Sequence, residues 1–391
     1  MQNFSFFKKL FYSALLSFIG FVSMGAQAYP SFIGYGYTSC IVCHFNPLGN
    51  GPLTDYGRAL GATAIAAKPF YQADLDDETL GNQAGFLLGK VKLPDRLRAQ
   101  INHRGMGLVS GIGTGSLYSN YILMQTDASL VAKTLDDRLV AVINAGIYPP
   151  PAGGGNPGFV SREHYVSYAI LPKLRVMAGL MDVAFGIRTA DHVASSRTMT
   201  KIGQNDQVHG VLLHLGIKGS EFAIHGFAGN LYQTPQSVVP KGASMMFETE
   251  VAKQVRVGAS GLYSASTIRE RKLFALHTRA GLAKGSSVLF ETGLVSDNRK
   301  NVSPELGNYI YFQSMARMIR GLHWLMTVDY SSQDAFKPHP RRFTVGPSLQ
   351  RFPTGFAELR LDVWGTRVLD SSALVNQPDS FKILGQLHLW F

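Results

Sequence analysis

The chain has 391 residues, of which 46% are hydrophobic and only 16% are charged, and its formal net charge is +11. Lysine and arginine are scattered with no recognition-helix pattern, which argues against nucleic acid as a partner. The positive balance instead favours contact with anionic head groups or anionic ligands. The two cysteines lie three positions apart, so a disulfide framework is excluded.

The first 28 residues have the pattern of a secretory signal peptide. A charged start at Lys8 and Lys9 is followed by an apolar stretch and by small residues that end at Ala28. An uncleaved membrane anchor is the alternative, but the small-residue ending favours cleavage after Ala28. We therefore expect an exported chain that begins at Tyr29. No later segment offers the ~20 consecutive apolar residues that a membrane helix needs.

The sequence CIVCH at residues 40–44 is the arrangement that attaches a c-type haem. Two cysteines at this spacing form thioethers to the haem vinyl groups, and the following histidine is placed to bind the iron. A thioredoxin-like pair, a zinc half-site and an incidental disulfide are the alternatives. The first needs a βαβ setting and the second needs another ligand pair, and the sequence offers neither. Residues 29–92 are therefore predicted to carry one covalent haem c on Cys40 and Cys43, with His44 as an iron ligand.

The residues after the motif predict how the haem is enclosed. Prolines and glycines predict turns, and residues 54–67 predict a short helix that packs beside the haem. Tyr35, Tyr37 and Tyr56 are candidate walls of the haem site, and ordinary packing explains each of them equally well.

From about Leu93 onward, apolar and polar residues alternate in runs of about ten, separated by clusters of Gly, Pro, Asn and Asp. This pattern is typical of strands in membrane barrels. The clearest run places Leu359 and Leu361 on one face, and Glu358 and Arg360 on the other. A soluble β-sandwich or β-helix is the alternative, but it needs a charged outer face, whereas these charges share the face that a barrel turns to its lumen.

We count about sixteen runs, and their connections alternate between long and short. Long outer loops and short periplasmic turns give this rhythm, so the predicted fold is an all-β transmembrane barrel of about 16 antiparallel strands over residues 93–391. Long connections are expected at 104–116, 149–160, 182–206, 231–241, 297–307, 331–341 and 366–379. Only the link near Thr267 is short where a long one was due. The short links carry one basic residue each: Lys133, Lys173, Lys218, Lys253, Lys284, Arg320 and Arg351.

These basic residues are expected to meet phospholipid head groups or to guide an acidic periplasmic partner. Aromatic residues near strand ends are expected to form the interfacial girdles of the barrel. They are Tyr309, Tyr311, Trp324, Tyr330, Trp364 and Trp390.

The sixth iron ligand is missing from the haem segment itself, because residues 45–92 contain neither histidine nor methionine. The position is open, or is filled by an unusual group such as Lys68, or is filled from the barrel. Strand parity places five candidates on lumen faces: His225, His277, His323, His388 and Met315.

One c-type haem motif on a short exported segment, followed by a barrel that ends on Phe391, resembles the fused cytochrome–porin proteins of bacterial outer membranes. That group includes iron-oxidising cytochromes. The resemblance implies electron transfer between a donor or acceptor outside the cell and a periplasmic carrier. The lead-in YPSFIGYGYTS differs from the Phe-Ala-Arg-Gln-Thr lead-in of the iron-oxidising members, so the resemblance concerns the architecture and not an iron substrate.

The leading hypothesis is an outer-membrane electron conduit with a haem plug inside or beneath the barrel. Two rivals stay open. The first is a porin whose haem segment is a gate, sensor or stabilising plug, which the basic composition favours. The second is a small peroxidase-like haem catalyst, which the missing local sixth ligand permits. No nucleophile-elbow motif indicates hydrolysis or group transfer.

A covalent haem is directly testable. Because thioethers survive denaturation, haem-linked peroxidase staining should persist on the band of the purified protein after denaturing electrophoresis. Changing both Cys40 and Cys43 to Ala should abolish the stain, while the single change Ser39→Ala should leave it intact. Staining retained by the double variant would show that the motif does not attach haem.

Overall fold

The computed structural model describes residues 32–49, 51–69, 74–113, 115, 117–148, 158–189, 191, 193–232, 238–336, 340–369 and 379–391. The predicted signal and its cleavage site lie outside these residues. The described chain forms sixteen strands, each antiparallel to its sequence neighbours, and pairing of the first strand with the last closes the barrel. The predicted fold class is therefore confirmed.

The strands are β1 (Leu97–Ile112), β2 (Leu117–Lys133), β3 (Leu139–Tyr148), β4 (Gly158–Leu171), β5 (Leu174–Met181), β6 (Val208–Ile217), β7 (Ser220–Phe227), β8 (Lys241–Ala252), β9 (Val255–Ala265), β10 (Arg269–Gly281), β11 (Ser287–Arg299), β12 (Glu305–Ile319), β13 (Leu322–Ser332), β14 (Arg341–Thr354), β15 (Ala357–Leu369) and β16 (Ser380–Trp390). The α-helices are α1 (Asp55–Leu60), α2 (Asp77–Gln83) and α3 (Ser195–Thr198), and a π-helical turn (Gly61–Ile65) extends α1. Within the described ranges, no helix is both long and apolar enough to cross a membrane.

Side chains alternate between the two faces of the wall as the period of two requires. On β15, Leu359 and Leu361 are 48% and 46% exposed on the outer face, whereas Glu358 and Arg360 are only 3% and 8% exposed. The outer face is therefore an apolar belt suited to lipid, and the charged residues lie in the lumen. The chain ends against the first strand, where Phe391 exchanges backbone hydrogen bonds with Ile101.

The connections alternate as the sequence predicts, with one error. Short turns join β2 to β3, β4 to β5 and every second pair thereafter, and the link from β9 to β10 is short as expected. The long loop predicted at 104–116 is wrong, because β1 continues to Ile112 in register with β16. Gly107 pairs with Gly385 within this ladder, so the glycines there belong to a strand and not to a turn.

The N-terminal residues 32–69, which we call the plug, lie at the end of the barrel that carries the short turns. The backbone N–H of Ala67 donates to the Phe352 carbonyl at 2.9 Å, and Arg320 Nε donates to the Ala66 carbonyl at 2.7 Å. Near the other end of the plug, the Gly285 N–H donates to the Gly34 carbonyl at 2.6 Å. The plug is therefore bonded to turns on several sides of the barrel.

The connection 182–207 between β5 and β6 folds into the lumen, and we call it the inner loop. Its backbone is bonded to the opposite wall: the Ile187 N–H donates to Glu291 Oε2 at 2.5 Å, and the Ser195 N–H donates to Asp329 Oδ2 at 2.6 Å. Arg360 Nη2 lies 2.8 Å from Asp191 Oδ1. The sequence predicted a long connection here and gave no sign that it turns inward.

The expected aromatic girdle is wrong for four of its six residues, because Trp364 is buried on the lumen face of β15, Trp390 lines an internal cavity, and two tyrosines also point inward. Tyr309 and Tyr311 are fully buried, and their hydroxyls donate to Glu291 Oε1 at 2.7 Å and to Asp191 Oδ2 at 3.1 Å. They serve the lumen network because a tyrosine brings a polar atom that a carboxylate can hold.

The lipid-facing assignment of β15 predicts the cost of a charge on its outer face. Leu361→Arg should lower the free energy of unfolding in lipid vesicles by ~2–4 kcal/mol, because the guanidinium is moved into the hydrocarbon layer. Denaturant titration followed by tryptophan fluorescence measures the change. The control Leu361→Ile keeps an apolar side chain there and should stay close to the parent. An equal loss in both variants would contradict a lipid-facing position.

Candidate functional site

A cavity of about 320 Å³ lies between the plug, the inner loop and the barrel wall. Cofactor and ligand sites have volumes of roughly 300–1,000 Å³. Cys40, Cys43 and His44 all line this cavity. The fold thus brings the three residues of the predicted haem motif to one cavity inside the barrel.

Local bonds fix the shape of the motif. Cys40–Val42 form one 3-10 turn, and the His44 N–H donates to the Cys40 carbonyl at 2.9 Å. The Thr54 N–H donates to the Cys43 carbonyl at 2.9 Å, and Thr54 then caps α1 by accepting from the Gly57 N–H at 3.1 Å. The predicted helix is confirmed, and its N-terminus is bonded to the motif.

Two glycines let the chain pass close to the cysteines. Gly49 has a φ of +84°, and a Cβ there would lie 3.0 Å from Cys40 Sγ. Gly57 packs directly on the Cys43 backbone, so a side chain at that position would collide with the Cys43 carbonyl. Both positions are turns or close approaches where a larger residue does not fit.

Barrel side chains hold the motif from the wall. Asn46 Nδ2 donates to Glu163 Oε1 of β4 at 2.9 Å, and both residues are fully buried. Arg279 Nη1 of β10 donates to Cys40 Sγ at 3.2 Å and also bonds Glu248. These contacts place the cysteines against the wall made by β4 to β10.

The two cysteines have the character of buried thiols. Burial, with a further contribution from Cys40, raises the pKa of Cys43 to about 12. Burial also raises the pKa of Cys40, and Arg279 offsets part of that effect. Reactive pairs of the thioredoxin type instead have a lowered pKa. Both sulfur atoms are free thiols in this structure, not a disulfide.

The predicted haem-wall aromatics are placed differently from one another. Tyr37 lines the cavity, and its hydroxyl is hydrogen-bonded to that of Tyr56, which is half exposed. Tyr35 packs within the plug, where its hydroxyl donates to the Ala64 carbonyl at 2.5 Å. Lys68 is not at the cavity, because its Nζ donates to the Leu75 carbonyl at 2.6 Å.

The five predicted lumen ligands all point inward, as strand parity required, but they do not lie together. His225, His277, His323, His388 and Met315 are each at most 8% exposed. Among them, His388 alone lines the cavity shared with the motif. Met246 of β8, which the sequence reasoning did not single out, also lines it. Its position in the middle of β8 is not distinctive in the sequence.

The cavity is strongly basic, which the scattered arginines of the sequence did not reveal. Its described lining contains one carboxylate, Glu248, and six arginines: Arg58, Arg104, Arg162, Arg188, Arg197 and Arg279. Arg188 of the inner loop pairs with Asp182 at 2.7 Å, yet its Nε and Nη1 are buried with no hydrogen bond to the described residues. Burial, and then the charge of Arg188, lowers the pKa of Arg197 to about 9. This excess positive charge suits a carboxylate or another anion.

Comparisons with known proteins find structures that are similar to the barrel of this chain. No protein-family model matches the sequence, and no curated protein is significantly similar to it. Solved structures do match: the anion-selective porin from Comamonas acidovorans has a TM-score of 0.59 and 10% identity over 75% of this chain and 99% of that one.

In-vitro folded OmpT of Vibrio cholerae has a TM-score of 0.58 and 8% identity over 77% of this chain and all of that one. The outer membrane channel DcaP of Acinetobacter baumannii has a TM-score of 0.57 and 10% identity over 75% of this chain and 97% of that one. At such low identity the likeness shows the fold: a porin-type barrel of the bacterial outer membrane, whose apolar belt contacts lipid.

The Asn46–Glu163 bond predicts how firmly the plug is held. Asn46→Ala leaves the buried Glu163 carboxylate without this donor, and an unsatisfied buried group costs about 1–3 kcal/mol. Amide hydrogen exchange in residues 32–69 should therefore become faster, while exchange in the strands stays as in the parent.

Asn82→Ala is the matched control, because Asn82 is exposed and its side chain makes no hydrogen bond to the described residues of the barrel. The same exchange rates in both variants would show that the buried bond does not anchor the plug.

Proposed function

We propose that this protein is an outer-membrane electron-transfer protein that carries one covalent c-type haem in the lumen of a porin-type barrel. The observation that carries the proposal is the position of Cys40, Cys43 and His44 on one cavity inside the barrel. Their chemistry fits the group: two thiols for thioethers and one imidazole for the iron. When bound, haem supplies a centre that gains and loses one electron.

The surrounding residues fit the same group. Ile33, Leu48 and Ile65 of the plug give the cavity apolar walls, and the arginines supply cationic partners for the two carboxylates that a haem carries. Arg279 is already bonded to Cys40 Sγ, so one arginine lies directly beside the attachment point.

The scale of the barrel decides how electrons reach the site. The hydrocarbon layer is ~30 Å thick, and one haem is far smaller than that. Because the plug lies at the end with the short turns, the motif is close to the periplasmic side. A periplasmic carrier therefore docks from below, and a small donor or acceptor enters from the outer side.

The short turns favour an acidic carrier. Lys173, Lys218, Lys253 and Lys284 are exposed on these turns, so they present a ring of positive charge. Arg320 is different, because it is bonded to the plug. The attraction of the ring for an acidic partner weakens as salt rises.

A channel for anionic solutes is the second candidate. The excess of arginine at the cavity, with two unbonded guanidinium nitrogens on Arg188, favours it. In this case the plug is a gate or a stabilising element. The likeness to porins, one of which is described as anion-selective, is compatible with either function.

Reconstituted vesicles separate the two functions. With a haem-free electron acceptor trapped inside, an external reductant too large to cross lipid should reduce the acceptor through the parent protein. With the Cys40→Ala, Cys43→Ala variant, reduction of the trapped acceptor should be as slow as in vesicles without protein, because the barrel remains and the redox group is gone.

Equal reduction by the double variant contradicts electron transfer. If the protein is instead an anion channel, a salt gradient across a planar bilayer should give an anion-selective reversal potential. Arg188→Gln should reduce this selectivity. Lys173→Gln, on an exposed turn away from the cavity, is the control.

A further inference from the structure

We infer that His388 would be a second iron ligand of the proposed haem, in addition to His44, and that Glu358 positions its ring. This inference rests on the proposed haem and deepens it by naming the missing ligand. It is carried by two observations: His388 shares the cavity with the motif, and one of its ring nitrogens is held by a buried carboxylate.

The two histidines belong to different sides of the barrel. The motif is bonded to the wall on β7 and β10, through Ser39 with Glu221 and Cys40 with Arg279. His388 lies on β16, between β15 and β1 in the closed ring. Both histidines line one cavity, so a haem attached to Cys40 and Cys43 could be held by His44 from the plug and by His388 from the barrel wall.

The ring of His388 is held in the manner of a metal ligand. Its Nδ1 lies 3.2 Å from Glu358 Oε2, and the other Glu358 oxygen accepts from Gln350 Nε2 at 2.6 Å. Nε2 of His388 has no hydrogen bond to the described residues. Metal-binding histidines characteristically donate one ring N–H to a carboxylate and bind the metal through the other nitrogen.

Arg104 presents a competing contact. Its Nη2 also lies 3.2 Å from His388 Nδ1, and as a donor it favours the opposite tautomer. With Nε2 committed to a metal, the His388 ring would carry its proton on Nδ1 and donate it to Glu358. Arg104 then remains beside the Glu358 carboxylate as a counter-charge.

The other candidates have different tasks. His277 Nε2 is bonded to Glu248 at 3.0 Å, and Met315 is packed against Leu325 in the wall. His225 and His323 lie outside the cavity lining. Met246 lines the cavity but packs in the cluster that contains Leu48. Met246 is therefore the competitor that the experiment must separate from His388.

The test is the spin state of the purified full-length protein, read by absorbance and electron paramagnetic resonance. The parent should be low-spin, and His388→Ala should be high-spin with its covalent haem stain retained. Added imidazole should return His388→Ala to low spin. Met246→Leu, which removes the sulfur and keeps the volume, should be indistinguishable from the parent.

Two further variants guard against misfolding. His388→Met offers the iron a thioether and should stay low-spin with a higher midpoint potential, since Met/His ligation raises the potential. Glu358→Gln should stay low-spin and also raise the potential, because it weakens the hydrogen bond that makes the imidazole more basic. A merely structural role for Glu358 would leave the potential unchanged and overturn its part of the inference.

The outcomes are separable. A high-spin parent, or a His388→Ala protein that is still low-spin, overturns the inference and leaves the proposed haem intact. A change of spin state in Met246→Leu assigns the ligand to Met246 and also overturns the inference about His388. A parent without covalent haem stain contradicts the proposed function itself.

Discussion

The constraint on which the structure depends is the need to satisfy every backbone N–H and C=O in lipid. Strands achieve this only when the sheet has no free edge, so the ladder between β1 and β16 is as necessary as any other. Closing the wall then divides the side chains into an apolar outer belt and a polar inner set. The inward position of strand charges such as Glu358 and Arg360 follows from that division.

The charged side chains inside the closed lumen need ion-pair and hydrogen-bond partners. The strands supply many of them to each other, as in the pair of Arg162 with Asp127 at 2.8 Å. The plug and the inner loop supply the rest, with Asn46 bonding Glu163 and Asp191 bonding Arg360. Of the six arginines around the cavity, Arg162, Arg188 and Arg279 are paired with Asp127, Asp182 and Glu248. The remaining positive charge, together with the two unbonded guanidinium nitrogens of Arg188, is what the cavity offers to an anion.

The sequence correctly predicted the structural features that depend on residues close together in the chain. The alternation at Glu358–Leu361, the inward direction of His388 and the capped helix after Thr54 all follow from spacing along the chain, and the structure has them. The failures share a cause: the pairing of Gly107 with Gly385 and the burial of Tyr309 against Glu291 join residues far apart in the sequence. The glycines around Gly107 suggest a turn and the tyrosines suggest a membrane interface, but neither feature of the sequence predicts contacts between distant residues. The CIVCH motif could be picked out because its spacing is local, whereas the arginines that line the cavity around it come from many separate parts of the chain.

The enclosure of the motif has a consequence for biogenesis. Cys43 is only 2% exposed, and Gly57 of the plug packs directly on its backbone. A lyase would have to reach this sulfur through a cavity inside the finished barrel. If the proposed haem is present, we expect its attachment before the wall closes, while the chain is still unfolded in the periplasm. The assembly machinery of the outer membrane would therefore receive a chain that already carries its haem. A strain that inserts the barrel too early would accumulate protein without haem.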